Sequence, residues 1–314
     1  MHVTLWGWIA FNLFILFLLA LDLGVFHRKS HAVSTKEAAL WTVAWISIAL
    51  LFNAGVYYFA GHDAGLQFLT GYLLEKSLSV DNIFVFVLLF NLFAVPPLYQ
   101  HRLLFWGVLG ALIMRGALIG VGAYLISQFH WILYLFGLFL VFTGIKLFFQ
   151  KEDVTIEPEK NLLVRVLRRF IPVTSGYRGD KFFVREAGKL AATPLFVVLL
   201  IVETTDLLFA FDSIPAIFAI TQDPFIVYTS NVFAILGLRS LYFLLASVMD
   251  KFRFLKLGLS GILVFIGVKM LLMDIYHIPI GLSLAVIAAV LTISVLASLL
   301  IPESEKTDLT IPYK

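Results

Sequence analysis

Four carboxylates form two matched pairs inside otherwise apolar stretches of this chain. Glu75 and Asp81 stand six residues apart in GYLLEKSLSVDNIFVF, and Asp206 and Asp212 stand six apart in IVETTDLLFAFDSIPA. Asp22 and Glu203 lie in similar surroundings. A carboxylate within a bilayer costs about 2.5–3.5 kcal/mol on insertion scales, so such groups face a cavity, a counter-charge or an ion. Asn82 and Ser213 follow Asp81 and Asp212 directly, which makes the available ligand set all oxygen. Oxygen ligands suit Mg²⁺, Ca²⁺ and Mn²⁺, whereas zinc and copper usually recruit His or Cys. Carboxylates gathered at low dielectric also suit exchange of protons for a metal ion. The chemistry expected is cation handling in a membrane.

Helical periodicity arranges these groups. Tyr72, Glu75, Ser79 and Asn82 fall on one stripe, and Glu203, Asp206, Ala210 and Ser213 fall on its counterpart. Asp81 and Asp212 lie off the stripes by about a third of a turn. Pro215 cannot donate to the Phe211 carbonyl and predicts a kink beside Asp212. Within one helix the paired acids are about 9 Å apart along the axis, so ligation has to cross between helices.

Nine apolar segments can hold such helices: about 5–26, 38–60, 67–93, 103–127, 131–149, 194–220, 225–249, 256–273 and 279–301. Hydrophobic residues make up 61% of the chain and charged ones 14%, against about 45–50% and 25% in soluble proteins. The segments are long and continuously apolar, unlike the short alternating strands of outer-membrane barrels. The first contains Asp22 and no small-residue cleavage site, so a retained span is expected there and not a signal peptide. The chain has no cysteine, which excludes disulfides and thiol chemistry. The fold class expected is an all-α polytopic membrane protein, a single domain over 1–314.

Basic residues orient it. The loops around 61–66, 128–130, 221–224 and 274–278 hold no Lys or Arg, whereas nine lie in the 150–193 loop. The positive-inside rule then places the N-terminus outside and the C-terminus in the cytoplasm. In the 150–193 loop, NLLVRVLRRF sets Leu162, Leu163, Val166, Leu167 and Phe170 on one helical face, as in a helix lying on an anionic leaflet. Acidic residues interleave with the loop's arginines, so an interfacial linker is expected and no nucleic-acid partner.

The acid pairs belong to an internal repeat, 67–149 and 194–273. Arg115 and Arg239 follow them in turn, and then LVFTGIKLFF and LVFIGVKMLL. Each copy holds three segments, so the second enters from the opposite side, giving an inverted 3+3 repeat (segments 3–5 and 6–8) of the kind that houses transporter sites. Antiparallel entry places Glu75 near the depth of Asp212, and Asp81 near that of Asp206. A competing reading pairs the acids with Arg115, Arg239 and Lys76 as buried structural ion pairs. Lys146 and Lys269 lie near segment ends, where they can snorkel to the headgroups. That leaves an acidic excess within. Asp22 lies near a segment end, where it can reach the interface, and the Gly116-x3-Gly120 pair reads as helix packing.

EKSLSVDN at 75–82, ETTDLLFAFDSIPAIFAIT at 203–221 and TSNVFAILGLRSLYFLL at 229–245 closely resemble the TerC family, its Alx subgroup in particular. The likeness runs over nearly the whole chain. It implies a bacterial inner-membrane protein associated with tellurite resistance and manganese export, with Glu75, Asp81, Asn82, Glu203, Asp206 and Asp212 lining the metal path. Asp22, Ser213, Arg115 and Arg239 are accessory candidates. The resulting expectation is a secondary transporter that exports Mn²⁺ between segments 3 and 6, with no prosthetic group and no enzymatic activity. Two other classes compete with it. A non-transporting component of a tellurite or envelope-stress complex would use the 150–193 loop as its surface. An intramembrane protease would need a Gly-x-Gly-Asp or His-Glu-x-x-His element, and neither occurs.

Overall fold

The computed structural model describes residues 3–21, 34–149, 161–186, 188–246 and 254–300, and of Asp81 the backbone alone. Asp22 lies outside the described residues. Every apolar segment is helical in its described part: α1 Leu5–Leu21, α2 Thr35–Ala60, α3 His62–Leu92, α4 Pro97–Gln128, α5 Ile132–Phe149, α7 Pro194–Phe218, α10 Leu255–Leu271 and α11 Ile280–Leu300. The segment at 225–249 forms two helices, α8 Pro224–Leu236 and α9 Leu238–Leu245, bent by 42° at Gly237. Local signals set the ends. Ser34 accepts from the Glu37 amide at 3.3 Å to start α2, a capping-box arrangement. Asp223 accepts from Phe225 and Ile226 ahead of Pro224 at the start of α8.

Five helices are individually long and apolar enough to cross a membrane (α2, α4, α5, α7 and α11), and the bent α8–α9 pair makes a sixth. α1 and α10 have 17 residues each, about 26 Å of helix against a hydrocarbon core of about 30 Å. α3 has 31 residues but carries Asp63, Glu75, Lys76 and Asp81. Polarity is inverted relative to a soluble protein. Thr70, Glu75, Asn82, Arg115, Asp206, Asn231 and Arg239 are buried, while Leu138, Phe142 and Phe148 of α5 are exposed. Lipid-facing apolar side chains around a polar interior are what a bilayer solvent selects.

α7 stays helical through Pro215, and the Ala219 amide closes onto the Pro215 carbonyl at 3.1 Å. Pro215 stands in the last turn of α7 and cannot donate to the Phe211 carbonyl. The chain also breaks at Gly237. There Lys76 Nζ donates to the Ala234 carbonyl at 3.2 Å, one of the carbonyls freed at the end of α8. A Cβ on Gly237 would lie 2.8 Å from that Nζ, so a larger residue there would displace the lysine end from its present place.

Between α3–α5 and α7–α10 the most extensive contacts are α5 with α10, α3 with α8, α4 with α7, and α3 with α7. Exchanging α3 for α7, α4 for α8 and α5 for α10 maps this set onto itself. The correspondence reaches single atoms. A Cβ on Gly144 would lie 2.9 Å from the Ser260 carbonyl oxygen and 3.0 Å from the Val264 nitrogen. A Cβ on Gly267 would lie 2.7 Å from the Gly137 carbonyl oxygen and 2.8 Å from the Val141 nitrogen. In both cases the residues met stand seven and three positions before the other helix's glycine. α5 and α10 therefore touch backbone to backbone along small residues.

Residues 161–193 form a folded piece and not a plain linker. α6 (Leu162–Phe170) leads to a hairpin of β1 (Phe183–Glu186) and β2 (Lys189–Ala192), turned at Gly188 with φ +78°. The Tyr177 hydroxyl donates to the Phe93 carbonyl at 2.7 Å. Arg102 pairs with Asp180 and lies over the Phe182 ring, 5.2 Å from its centroid. Phe183 and Phe196 meet at 4.4 Å between ring centroids. These contacts tie the piece to the ends of α3, α4 and α7. Leu162, Leu163, Val166 and Phe170 of α6 remain exposed, as an interfacial helix requires.

Candidate functional site

Four helices converge on one guanidinium. Arg115 of α4 is buried, and its Nη1 pairs with Glu75 of α3. Nη2 and Nε donate to the two oxygens of Asp206 on α7, at 3.2 and 3.4 Å, a two-point grip that the planar fork of arginine allows. Nη1 also reaches Ser213 Oγ and Asn231 Oδ1 of α8, each at 3.1 Å. Asn231 Nδ2 closes the ring by donating to Glu75 Oε2 at 3.2 Å. The cluster holds two carboxylates against one guanidinium, all of them buried. With both acids ionised it carries an excess negative charge, which low dielectric makes expensive unless another cation or a proton joins it.

Further polar atoms around the cluster lack hydrogen-bond partners. Tyr72 Oη and Ser79 Oγ are buried and unsatisfied on the same stripe of α3 as Glu75. Asn82, the next member of that stripe, is buried as well. On α7, Glu203 lies across α4 at Gly110, where any Cβ would overlap its carboxylate, and its Oε2 is buried without a partner. Gly107 of the same α4 face meets Val202. Glycine at these positions lets α7 come close enough to seat an acid against bare helix backbone.

The predicted residues thus divide. Glu75, Asp206, Ser213 and Arg115 meet at one point, with Glu203 one turn away along α7 and Asn82 two turns along α3. Asp212 is partly buried, next to the half-exposed Phe211. Arg239 is buried in the first turn of α9, past the break. Asp81 has only its backbone described, within α3, and Asp22 is not described. Antiparallel entry predicts different depths for Glu75 and Asp206. The long side chains of Glu75 and Arg115 bridge that difference, so Glu75 shares one guanidinium with both Asp206 and Ser213. Among the described residues no three His, Cys, Asp or Glu side chains converge as a metal cage, and Arg115 lies between Glu75 and Asp206. Asn231 was not singled out from sequence. Its signal was available, an amide within the apolar run TSNVFAIL, one helical turn before Ile235.

Fold and site together define a polytopic helical membrane protein built around a buried acidic cluster. The chain belongs to the integral membrane protein TerC family, whose pattern it matches over residues 60–306. It is 55% identical to an uncharacterized membrane protein of Myxococcus xanthus over 93% of this chain and 92% of that one. It is 50% identical to the "Putative membrane-bound redox modulator Alx" of Escherichia coli K12 over 92% of each chain. A membrane protein of Rickettsia bellii shares 43% identity over 94% of this chain and 97% of its own. No solved structure matches the chain.

Proposed function

We propose that this protein is a secondary transporter that exports Mn²⁺ from the cytoplasm across the bacterial inner membrane. The observation that carries the proposal is the meeting of Glu75 and Asp206, from two different helices, in a buried cluster of two acids against one guanidinium with only oxygen ligands nearby. A hard divalent cation satisfies such a cluster. Asn82, Ser213 and Glu203 line the path on either side, and Asp81 and Asp212 complete the acid pairs. Nine spans, with the N-terminus outside and the C-terminus in the cytoplasm, follow from the distribution of Lys and Arg. The self-mapping contacts of α3–α5 with α7–α10 support two inverted copies that rock about the α3/α7 interface. Protons are the proposed coupling ion, since a carboxylate cluster that gives up a metal can take up protons.

The relatives named as redox modulators raise a second reading. A redox role for this chain cannot run through thiols, since it has no cysteine. On the transport reading, a redox consequence would come through the metal content of the cell. Cells overproducing the protein should hold less manganese at equal external supply, with zinc and copper unchanged. Equal depletion of zinc would contradict the all-oxygen site.

A further inference from the structure

Arg115 fills the position that a cation would take between Glu75 and Asp206, and a third acid, Glu203, lies nearby with an unpartnered oxygen. Arg115 engages Glu75, Asp206, Ser213 and Asn231 at once, so a metal ion can use the same carboxylates only if the guanidinium leaves. It needs somewhere to go, because an arginine cannot shed its charge within the protein. Glu203 stands three residues before Asp206 on the face that α7 turns toward α4. Its carboxylate lies over Gly110, five residues before Arg115 on α4, and its Oε2 is buried with no partner. α4 and α7 run in the same direction, as Gly107 meets Val202 and Gly122 meets Phe218. Glu203 therefore lies about one helical turn from Asp206, a step that one arginine side chain can cover by changing rotamer.

We infer that Arg115 is a tethered counter-cation that alternates between two sets of carboxylates. Without metal it bridges Glu75 and Asp206. When a divalent ion enters, the guanidinium moves to Glu203 and leaves both acids to the ion. On release of the ion it returns. The inference rests on the proposed transport reading and adds a device to it: the site is never left as two bare carboxylates in the membrane interior, a state that would trap either the metal or the closed transporter. Arg115 and Glu203 are positioning residues, and neither has to touch the ion.

Binding of Mn²⁺ alone to the detergent-purified full chain, read from the paramagnetic resonance signal of free Mn²⁺, tests this without measuring transport. If the acids are uncovered about a tenth of the time, apparent affinity is reduced about tenfold, and removing Arg115 restores it. Arg115→Gln should therefore tighten Mn²⁺ binding about tenfold. Arg115→Lys, which keeps a charge but loses the two-point grip, should tighten it by a smaller factor and carries the test if the glutamine variant does not fold. Glu203→Gln should weaken binding when Arg115 is present and have no effect beside Arg115→Gln, or a reduced effect beside Arg115→Lys. Binding unchanged or weakened in both Arg115 variants would overturn the inference. Equal weakening by Glu203→Gln in all backgrounds would overturn it too, by making Glu203 a direct ligand. If the wild type binds no more Mn²⁺ than Glu75→Gln/Asp206→Asn, the transport reading itself fails and the inference falls with it.

Discussion

Replacing Arg115 by Gln would leave Glu75 and Asp206, both buried, without the guanidinium that they share. The structure gives that side chain one ion pair to Glu75, two contacts to Asp206 and one each to Ser213 and Asn231. Removing one partner of a buried ion pair costs about 3–5 kcal/mol, because the other charge stays behind unpaired. Here two charges stay behind, so the loss should reach the upper end of that range. Glu75→Gln or Asp206→Asn alone leaves one acid against one base and keeps an acceptor in place, and each should cost only about 1–2 kcal/mol. The triple variant Arg115→Gln/Glu75→Gln/Asp206→Asn should recover most of the loss. Thermal unfolding in detergent, followed by size-exclusion chromatography, measures all four. Added Mn²⁺ should also stabilise Arg115→Gln more than the wild type. An Arg115→Gln protein as stable as either single acid variant would refute the view that the guanidinium neutralises the pair.

Gly144→Ala and Gly267→Ala each push a Cβ into the facing helix backbone and should each cost about 1–3 kcal/mol by overpacking. If the halves are copies the two losses should match within about 0.5 kcal/mol in denaturant titrations, and clearly unequal losses would count against the repeat. Tyr177→Phe removes the hydrogen bond to the Phe93 carbonyl and should loosen the 161–193 piece by about 1 kcal/mol. Limited proteolysis should then cut between α6 and α7 faster than in the wild type, and an unchanged rate would mean that the other contacts suffice. Single cysteines at Asp63 and Asp223 should react with an impermeant thiol reagent in intact spheroplasts, and one at the C-terminus should not. Labelling of that last position without permeabilisation would overturn the proposed orientation.

Much of the fold was legible because bilayer physics constrains sequence heavily. The described part of each apolar segment is helical, with the one at 225–249 broken into two helices, and the stripe rule placed Glu75 and Asp206 on inward faces, where both are buried. What stayed hidden depended on neighbours distant in the chain. The break at Gly237 shows up once Lys76 is seen against the Ala234 carbonyl, a contact spanning 158 residues. The hairpin at 183–192 is held by Phe182, Phe183 and Tyr177 against the helix ends, and charge mixing in the loop gave no hint of it. Choosing Arg115 as the shared partner of Glu75 and Asp206 required knowing which face of α4 meets α7, and Gly107 and Gly110 decide that through backbone approach. Sequence periodicity could name the charged groups, but their pairing belongs to the packing.

The central claim is that the buried acids of α3 and α7 carry Mn²⁺ across the membrane. Flux of Mn²⁺ into liposomes containing only this purified protein, with a metal-sensitive dye trapped inside, tests it most directly. The account predicts saturable Mn²⁺ entry that is lost in a well-inserted Glu75→Gln/Asp206→Asn variant. Liposomes with correctly inserted wild-type protein that pass no more Mn²⁺ than protein-free ones, with and without a proton gradient, would contradict it.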